Sequence, residues 1–408
     1  MRILVVTPHF APDVAPTGAV VTRIVEELAA RGHHIEVVTA LPWYRLHRLE
    51  EGYEGKLVRH EDTTWGRITR VHPFPTADKR NLFRRAAAFA GFSAIAGVVG
   101  SRGGDVDVVL AVSPPLTLGL DGWAIARRRG ARFVFNIQDV YPDVAIELGM
   151  LQQPVLVKMA RALERFCYER ADAVTVLSED LRTNLSDRVK DPGKIRVIPN
   201  FVDTAAIRPL ERENSYRREF GLEGKRVVMY AGNVGLSQSL DLVIHAASAL
   251  AYEDDVVFVI NGDGAARADL QRSARGLGNV VFVDPQPAER LPEVLAAGDI
   301  HIVPLRKGLA RSSVPSKTYS VMAAGRPLLA SIDPGSEVTR LLEASGAGMA
   351  VGPEDPEAFT KALTRRLEAP EATAEMGRAA RRSIEEWASP AAVAAAYEEL
   401  FLELAPPG

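Results

Sequence analysis

The amino-terminal stretch that decides the fold is residues 3–39, which read ILVVTPHFAPDVAPTGAVVTRIVEELAARGHHIEVVT. It opens with a short strand, Ile3–Val6, that is apolar throughout, and it closes with a second one, Ile35–Thr39. Between them a proline-rich loop leads into an amphipathic helix that we predict over Val20–Ala30. Apolar strands that alternate with helices are typical of parallel sheets covered on both faces. These residues therefore predict an open α/β fold.

The same pattern continues along the chain and is interrupted once, after Asn200–Asp203. We therefore predict two Rossmann-like parallel-sheet domains that face each other across a cleft, 1–203 and 204–388, followed by a final helical segment, 389–408. In such sheets ligands bind beyond the carboxyl ends of the strands. Further strands are predicted at residues 106–112, 132–137, 173–177, 195–198, 226–231, 256–260, 280–283, 300–304 and 327–331.

Composition and charge exclude several classes of protein. The chain has 408 residues, of which 47% are hydrophobic and 25% charged, as in ordinary globular domains. Its net charge of −3 offers no basic excess for nucleic acid, so an anion site has to be built locally. Cys167 is the single cysteine, which excludes an intramolecular disulfide and a cysteine metal cluster. We see no export signal and no stretch of about 20 apolar residues, and we expect a cytoplasmic protein.

The loop after the first strand ends at Gly18, which we expect to open the first helix. A glycine there lets a ligand approach the unpaired N–H groups of the helix, and helix N-termini favour anionic phosphate. His9 lies in the same loop and is a candidate ligand contact. A plain connection capped by Thr17 is the alternative. The loop lacks the G-x-G-x-x-G fingerprint, which disfavours a nicotinamide-dependent dehydrogenase.

Polar side chains also follow the strand predicted at 132–137. Gln138 and Asp139 come directly after it, before a turn at Tyr141-Pro142. Their place at the carboxyl end of a strand suits contact with a sugar or an acceptor. Alternatively, Asp139 and Asp143 only cap a helix and close a turn.

Two glycine turns follow strands in the second half of the chain. Gly232, Asn233 and Gly235 come after the first of these strands, and Gly262 and Asp263 come after the next. Glycine permits the backbone to approach a ligand closely. Simple tight turns are the alternative, and either turn alone is weak evidence of a site.

The most informative segment of the second half surrounds Lys317. We expect Ser316 to cap a helix over Thr318–Ala324, which places Lys317 in its first turn. Cations are disfavoured at the positive end of a helix, so a lysine there indicates an anion nearby. Arg311 precedes this helix and is a second candidate cation.

Taken in order, these motifs resemble a GT-B glycosyltransferase of family 4 over nearly the whole chain. The motif Pro315-Ser316-Lys317 and the segment Leu49–Gly55 are similar to those of the fucosamine-type and colanic-acid-type transferases that build bacterial surface polysaccharides. The motifs that carry the resemblance are Ile3–Val6 with Gly18, Ile137-Gln138-Asp139 with Pro142, Ile198-Pro199-Asn200, Ala231–Gly235, Gly262-Asp263-Gly264, Pro315-Ser316-Lys317 and Ala323–Pro327.

The resemblance implies that the two α/β domains have separate tasks. The amino-terminal domain would bind the acceptor, the carboxy-terminal domain would bind the nucleotide-sugar donor, and the last helix would cross back to the first domain. Gly18 would face the donor diphosphate, and transfer would retain the anomeric configuration. We expect a UDP-linked amino or deoxy sugar as the donor and a glycan, lipid-linked by preference, as the acceptor.

The sequence departs from the family pattern at the donor contacts. Two glutamates, an arginine, a lysine and a histidine that are usual in the pattern fall here on Ser312, Ser320, Asn233, Gln238 and Gln138, respectively. We therefore expect Lys317 and Arg311 to replace the missing cations. Glu337 is the candidate for the missing carboxylate, although with Ser336 it could merely cap a helix.

These residues predict a displacement at the anomeric carbon of the donor sugar. N–H groups near Gly18 and the charge of Lys317 would stabilise the departing diphosphate. That diphosphate can itself accept the proton of the acceptor, which suits a sequence in which we see no His–carboxylate pair. Asp139 and Gln138 are the candidates that would orient the acceptor. The scheme requires no cofactor, and we see no cluster of metal ligands.

The segment from Lys79 to Gly104 contains no acidic residue. Arg80, Arg84 and Arg85 precede an apolar run at 86–99, a pattern that favours an anionic membrane surface. We expect peripheral contact at the inner face of the plasma membrane. An ordinary helix packed on the sheet is the alternative.

Two other functions stay open on these residues. A sugar-nucleotide epimerase shares the two-domain form but needs acid and base residues that we cannot assign. A non-catalytic sugar-nucleotide binder would tolerate the loss of the glutamate pair.

Overall fold

The computed structural model describes residues 1–13, 15–44, 48–75, 82–143, 146, 151–235, 237–310 and 315–405, with only the backbone for Pro16 and for 82–87. The chain divides into two compact units. Unit 1 consists of Met1–Asn200 together with Val393–Gly408, and unit 2 consists of Phe201–Ala392.

Unit 1 is built on one sheet of eight strands in the described ranges, in the order β3-β4-β2-β1-β5-β6-β7-β8. All neighbours pair in parallel except β3 and β4. The strands are β1 (Arg2–Val6), β2 (His34–Ala40), β3 (Val58–Thr63), β4 (Gly66–Val71), β5 (Val108–Ser113), β6 (Arg132–Ile137), β7 (Ala173–Val176) and β8 (Ile195–Val197). The helices are α1 (Pro16–Ala30), α2 (Leu82–Gly100), α3 (Thr117–Arg129), α4 (Pro154–Arg170) and α5 (Glu179–Ser186).

Unit 2 is built on an all-parallel sheet of six described strands in the order β11-β10-β9-β12-β13-β14. The strands are β9 (Arg226–Ala231), β10 (Val256–Asn261), β11 (Val280–Val283), β12 (Ile300–Pro304), β13 (Leu328–Ser331) and β14 (Gly348–Val351). The helices are α6 (Ser215–Glu219), α7 (Asp241–Ala249), α8 (Arg267–Ser273), α9 (Leu291–Ala297), α10 (Lys317–Ala323), α11 (Glu337–Ser345), α12 (Pro356–Leu367) and α13 (Pro370–Trp387). A last helix, α14 (Pro390–Leu404), belongs to unit 1 from Val393 onward.

The predicted α/β class with two parallel sheets is confirmed. Interior strands are buried on both faces, as their apolar sequences require: all six residues of β5 are buried, and so are all five of β12. The sequence reading missed β3, β4 and β14. Charged residues interrupt β3 (VRHEDT) and β4 (GRITRV), and β14 (GMAV) has only three apolar residues after its glycine, so the apolar pattern does not distinguish these strands from loops.

The first helix begins four residues earlier than predicted. α1 starts at Pro16 rather than Val20, because a proline at the first helical position has the backbone angle that the helix needs. Gly18 is therefore inside the first turn and does not open the helix. A Cβ at Gly18 would lie 2.9 Å from the Cβ of His9, so the glycine lets α1 pack closely on the loop after β1.

A buried hydrogen-bond network joins α14 to the sheet of unit 1. The amide nitrogen of Asn136 donates to the hydroxyl of Tyr397 at 2.9 Å and to the hydroxyl of Thr175 at 3.0 Å. Gln138 donates to Asn136 Oδ1 at 2.7 Å and accepts from Asn200 Nδ2 at 2.8 Å. Buried amides are stable only when such partners exist, so the polar end of β6 has a structural task as well as its predicted functional one.

Candidate functional site

A cleft of about 670 Å³ lies at the carboxyl edge of the sheet of unit 2. The ends of β9, β10 and β12 and the start of α10 contribute its walls, which is where a parallel sheet of this kind binds ligands. Six of the residues predicted from the sequence meet here: Gly232, Asn233, Gly262, Asp263, Ser316 and Lys317.

Lys317 is held by Tyr230, which the sequence reading did not place in the site. The ammonium nitrogen of Lys317 lies 3.9 Å from the centroid of the Tyr230 ring and donates to its hydroxyl at 2.5 Å. That hydroxyl donates in turn to the backbone oxygen of Asn233 at 2.5 Å. Because a lysine charge is attracted to the face of an aromatic ring, Tyr230 both orients the Lys317 side chain and holds it beside the turn at Gly232. In the sequence, the signal that could have indicated this role is an aromatic residue two positions before Gly232.

Lys317 forms no ion pair within the described part of the chain. Burial lowers its pKa to about 7, because a desolvated amine loses the stabilisation that water gives its charged form. The acidic residue of the lining, Asp263, has a side chain that is 69% exposed and lies 4.0 Å from Arg267. An anion that enters the cleft would therefore supply the missing counter-charge.

Glycine is required where the two turns of the cleft meet. Gly232 has φ +137° and Gly262 has φ +150°, a region that other residues rarely adopt. A Cβ at Gly262 would overlap the carbonyl oxygen of Gly232, and a Cβ at Gly232 would lie 3.3 Å from the Lys317 nitrogen. Side chains at these positions would separate the turns and crowd the ammonium group.

The cleft is lined by both apolar and polar side chains. Leu291, Leu295 and Leu305 are among the apolar ones, and Gln238 and Asn261 are among the polar ones. The Asn261 side chain is positioned by the Tyr216 hydroxyl, which donates to its Oδ1 at 2.8 Å. This combination suits a ligand with a charged phosphate end and a flat, less polar end.

The structure does not confirm predictions made for four residues of this half. Ser316 stands before α10, but its backbone is helical and its side chain makes no capping hydrogen bond, so the predicted cap is wrong. Gly235 and Glu337 are not among the described lining residues, and Glu337 pairs with Arg340 at 2.8 Å. Their roles toward a donor stay predictions. Arg311 lies outside the described residues.

The candidate residues at the end of β6 differ in their surroundings. Both ends of the Gln138 amide are hydrogen-bonded within the network described above. Asp139 is exposed on one side, while the protein around it desolvates the carboxyl and raises its pKa. A raised pKa suits a group that orients or receives a proton, and the roles of both residues stay predictions. Arg80 lies outside the described residues, and only the backbone of Arg84 and Arg85 is described, within α2.

Unit 1 contains a His–carboxylate pair that the sequence reading did not see. His9 Nδ1 lies 2.7 Å from Asp13 Oδ2, and the other oxygen of Asp13 accepts from the backbone nitrogen of Tyr44 at 3.1 Å. The Asp13 side chain is fully buried, and the His9 ring stacks on Trp43 with centroids 5.8 Å apart. The two residues are in an irregular loop, where spacing alone does not tell which side chains meet.

Gly18 and Lys317 belong to different units, so their common anion site stays a prediction. In the described ranges, no three His, Cys, Asp or Glu side chains are grouped as metal ligands would be. Nor does any helix in those ranges have the length and apolar character needed to cross a bilayer.

Two family models match the chain in order. The model described as "Glycosyl transferase 4-like domain" matches residues 17–200, and the model described as "Glycosyl transferases group 1" matches residues 225–369. Among curated proteins, the colanic acid biosynthesis glycosyl transferase WcaI of Escherichia coli (strain K12) is 28% identical over 379 residues, which cover 90% of this chain and 92% of that protein.

Solved structures of the same fold cover the chain almost completely. Sucrose-phosphate synthase from Thermosynechococcus elongatus aligns with a TM-score of 0.70 at 18% identity, over 99% of both chains. Anabaena HepE in complex with UDP aligns with a TM-score of 0.69 at 14% identity, over 99% of this chain and 100% of that one. At these identities the likeness concerns the fold.

Replacing the buried lysine tests its electrostatic cost. Lys317→Met should raise the free energy of unfolding at pH 7 by up to about 4 kcal/mol, because each pH unit between 10.5 and 7 costs the buried lysine about 1.4 kcal/mol and the variant has no charge to desolvate. The lysine titrates at 10.5 when unfolded and at about 7 when folded, so the folded wild type binds fewer protons in between. Wild-type stability should therefore approach that of the variant as the pH rises from 7. Urea unfolding at several pH values measures this.

The exposed residue Lys361 provides the matched control for that experiment. Lys361→Met should leave the free energy of unfolding nearly unchanged at every pH. A Lys317→Met protein that is less stable than the wild type by the same amount at pH 7 and pH 9 would show that the lysine bears no desolvation cost.

Proposed function

Because the chain belongs to family 4 of the GT-B glycosyltransferases, we propose that it moves a sugar from a nucleoside-diphosphate sugar to a hydroxyl group of an acceptor, with retention at the anomeric carbon. Transfer of sugars is the activity of the family; the donor, acceptor and stereochemistry are the proposal. The observation that carries it is Lys317, a buried cation that has Tyr230 as its partner and no described carboxylate.

The donor occupies the cleft of unit 2 in this proposal. Its diphosphate lies against the ammonium group of Lys317, and the turns at Gly232 and Gly262 let the phosphates approach the backbone. The apolar lining residues Leu291 and Leu305 contact the flatter part of the nucleotide in this proposal. We propose UDP as the nucleotide and an amino or deoxy sugar as the transferred group, with Arg311 and Glu337 as additional donor contacts.

The chemical step forms one bond and breaks one. The acceptor oxygen attacks the anomeric carbon while the bond from that carbon to the diphosphate oxygen breaks, and the electron pair leaves with the diphosphate. Lys317 stabilises the growing negative charge, which is worth most in a partly desolvated site. A leaving-group oxygen takes the proton of the acceptor on the same face of the sugar, so configuration is retained. No metal or cofactor has a part in this scheme.

The acceptor binds to unit 1 in this proposal. Asp139 and Gln138 contact its hydroxyl groups at the end of β6. The His9–Asp13 pair is a further candidate, because Asp13 holds the imidazole by Nδ1 and leaves Nε2 to a ligand. We propose a lipid-linked glycan as the acceptor. The basic segment with Arg80, Arg84 and Arg85 would bring the protein to the anionic inner face of the plasma membrane.

Turnover with a substituted lysine tests the reaction. Lys317→Ala should lower kcat at least about 100-fold without loss of folding, because the departing diphosphate loses its cation. Lys361→Ala, at an exposed position of α12, should keep wild-type turnover. The measurement is nucleotide release from a donor and acceptor panel, with the anomeric configuration of the product read by NMR and with EDTA present in a parallel series.

The other outcomes of that experiment refute a part of the proposal or assign one of the two alternative functions. Full turnover of Lys317→Ala would refute the role of the lysine, and loss of turnover in EDTA would refute the metal-free scheme. Formation of an epimer without transfer would assign an epimerase. Donor binding without consumption across all acceptors would assign a non-catalytic binder.

Donor binding should depend on pH through Lys317. The amine titrates at about 7 in the free protein, and a bound diphosphate raises that value, so binding takes up a proton. Affinity for a UDP-sugar in the absence of acceptor should be highest below pH 7 and fall above it, by at most about tenfold per pH unit. Calorimetry with UDP-sugars and GDP-sugars measures this. Lys317→Met should bind the UDP-sugar weakly, with an affinity that does not depend on pH in this range. An equal pH dependence in both proteins would contradict the role of Lys317 in donor binding.

Membrane contact is tested by flotation with vesicles. The wild type should float with anionic vesicles at low ionic strength and not with neutral ones, since each basic residue near the surface contributes about 1 kcal/mol. Arg84→Glu with Arg85→Glu should abolish flotation, whereas Arg127→Glu, at an exposed position of α3, should not. Absence of wild-type binding at low salt would refute membrane contact and leave the transfer reaction untouched.

A further inference from the structure

A second cavity of unit 2, of about 330 Å³, lies at the opposite edge of the same sheet. Arg226, the first residue of β9, and Ile300, the first residue of β12, are in its wall, whereas the last residues of both strands line the cleft of Lys317. A six-residue strand is about 20 Å long, so the two cavities do not share a ligand. Nothing in the proposed reaction uses this second one.

The wall of the cavity is strongly basic. Its charged lining residues are five arginines and one aspartate: Arg212, Arg226, Arg326, Arg366, Arg378 and Asp299. Three of the arginines have carboxylate partners: Arg212 pairs with Asp299 at 2.9 Å, Arg226 with Asp255 at 2.6 Å and Arg378 with Glu375 at 2.6 Å.

Both carboxylate oxygens of Asp299 already accept hydrogen bonds from other groups. One of its oxygens accepts from Arg212, and the other accepts from Arg217 and from the backbone nitrogen of Val227, both at 2.7 Å. It therefore serves two guanidinium groups and one amide. The remaining arginines of the cavity, Arg326 and Arg366, form no ion pair with any described carboxylate.

Arg326 and Arg366 also have hydrogen-bond donors without a partner among the described residues. The Nε atom of each is buried and has no partner among the described residues. Arg326 donates from Nη2 to the backbone oxygen of Leu210 at 2.9 Å, and Arg366 contacts only the weak acceptor sulfur of Met376, at 3.9 Å. Burial lowers the pKa of Arg326, and the nearby Arg217 and Arg212 lower it further, while the charges of Asp299 and Glu211 act in the opposite direction.

We propose that this cavity binds a phosphate group through Arg326 and Arg366, at a site separate from the cleft of Lys317. Two guanidinium groups that have no ion-pair partner among the described residues match the two negative charges of a phosphomonoester or of inorganic phosphate. Their planar Nη donors fit phosphate oxygens in pairs. The volume accommodates a small phosphorylated molecule. The site does not depend on the proposed transferase reaction.

Binding of inorganic phosphate to the full chain tests the site. All proteins carry Lys317→Met, so that the first cleft does not contribute, and calorimetry is performed at constant ionic strength set with chloride. We expect one saturable site with a Kd below about 1 mM. Arg326→Gln with Arg366→Gln should weaken binding at least about tenfold. Arg378→Gln, in the same wall but paired with Glu375, should change it less than about threefold.

The remaining outcomes each decide the matter. No saturable binding, or an equal loss from Arg378→Gln, would overturn the proposal in favour of a diffuse positive surface. If the double variant does not fold, Arg366→Lys replaces it, since it keeps the charge but not the paired donors and should still weaken phosphate binding. Binding that is unchanged by Arg366→Lys would also overturn the assignment.

The source of the phosphate group is distinguished by two further probes. Glycerol 3-phosphate in solution should compete with inorganic phosphate if the ligand is a small metabolite. Vesicles that contain phosphatidate should compete, and soluble glycerol 3-phosphate should not, if the site takes a lipid headgroup. Competition by neither would restrict the site to the free ion. In a protein that retains Lys317, Arg326→Gln with Arg366→Gln should leave the affinity for UDP-sugar unchanged. A failure of the phosphate-site proposal is therefore distinguishable from a failure of the proposed function.

Discussion

The ammonium group of Lys317 is buried on the face of Tyr230 without a carboxylate partner in the described part of the chain, and the cleft of unit 2 is organised around it. A lysine in this position costs folding free energy, as the fall of its pKa to about 7 indicates. The structure supports the side chain with a ring and a hydroxyl, which hold it in place without neutralising it. Such local violations of the rules of stability are expected where a ligand completes the site.

The other features of the cleft follow from that cation. Gly232 keeps a side chain away from it, and Gly262 avoids the carbonyl oxygen of Gly232. Lys317 and Tyr230 are 87 positions apart in the sequence, yet they meet because β9 and the start of α10 reach the same edge of a parallel sheet. A family of enzymes that cleaves phosphate–sugar bonds has an evident use for an anion site in such a place.

The two cavities of unit 2 lie at opposite edges of its sheet, and both contain cationic side chains that have no described counter-ion. Among the described residues, Lys317 has no counter-ion in the first cavity, and Arg326 and Arg366 have none in the second, whereas the other arginines of the second cavity each have one. Arginine's fixed fork of donors favours an oxyanion bound in pairs, whereas lysine acts as a single compact charge. This difference agrees with the two proposals, in which the arginines bind a phosphate group that does not react and Lys317 stabilises a departing diphosphate.

The sequence by itself determined the α/β class, the two parallel sheets and most strands, because apolar runs between helices are a local property that only buried parallel strands explain. It also indicated Gly232, Gly262 and Lys317, because glycines after strands and a lysine at a helix start are informative without a partner. Only the tertiary structure decided that Tyr230 holds Lys317, that Asp13 holds His9 and that Gln138 is engaged with Asn136 and Asn200. Those are contacts between side chains brought together by strand order and loop path, and neither periodicity nor spacing encodes which of them meet.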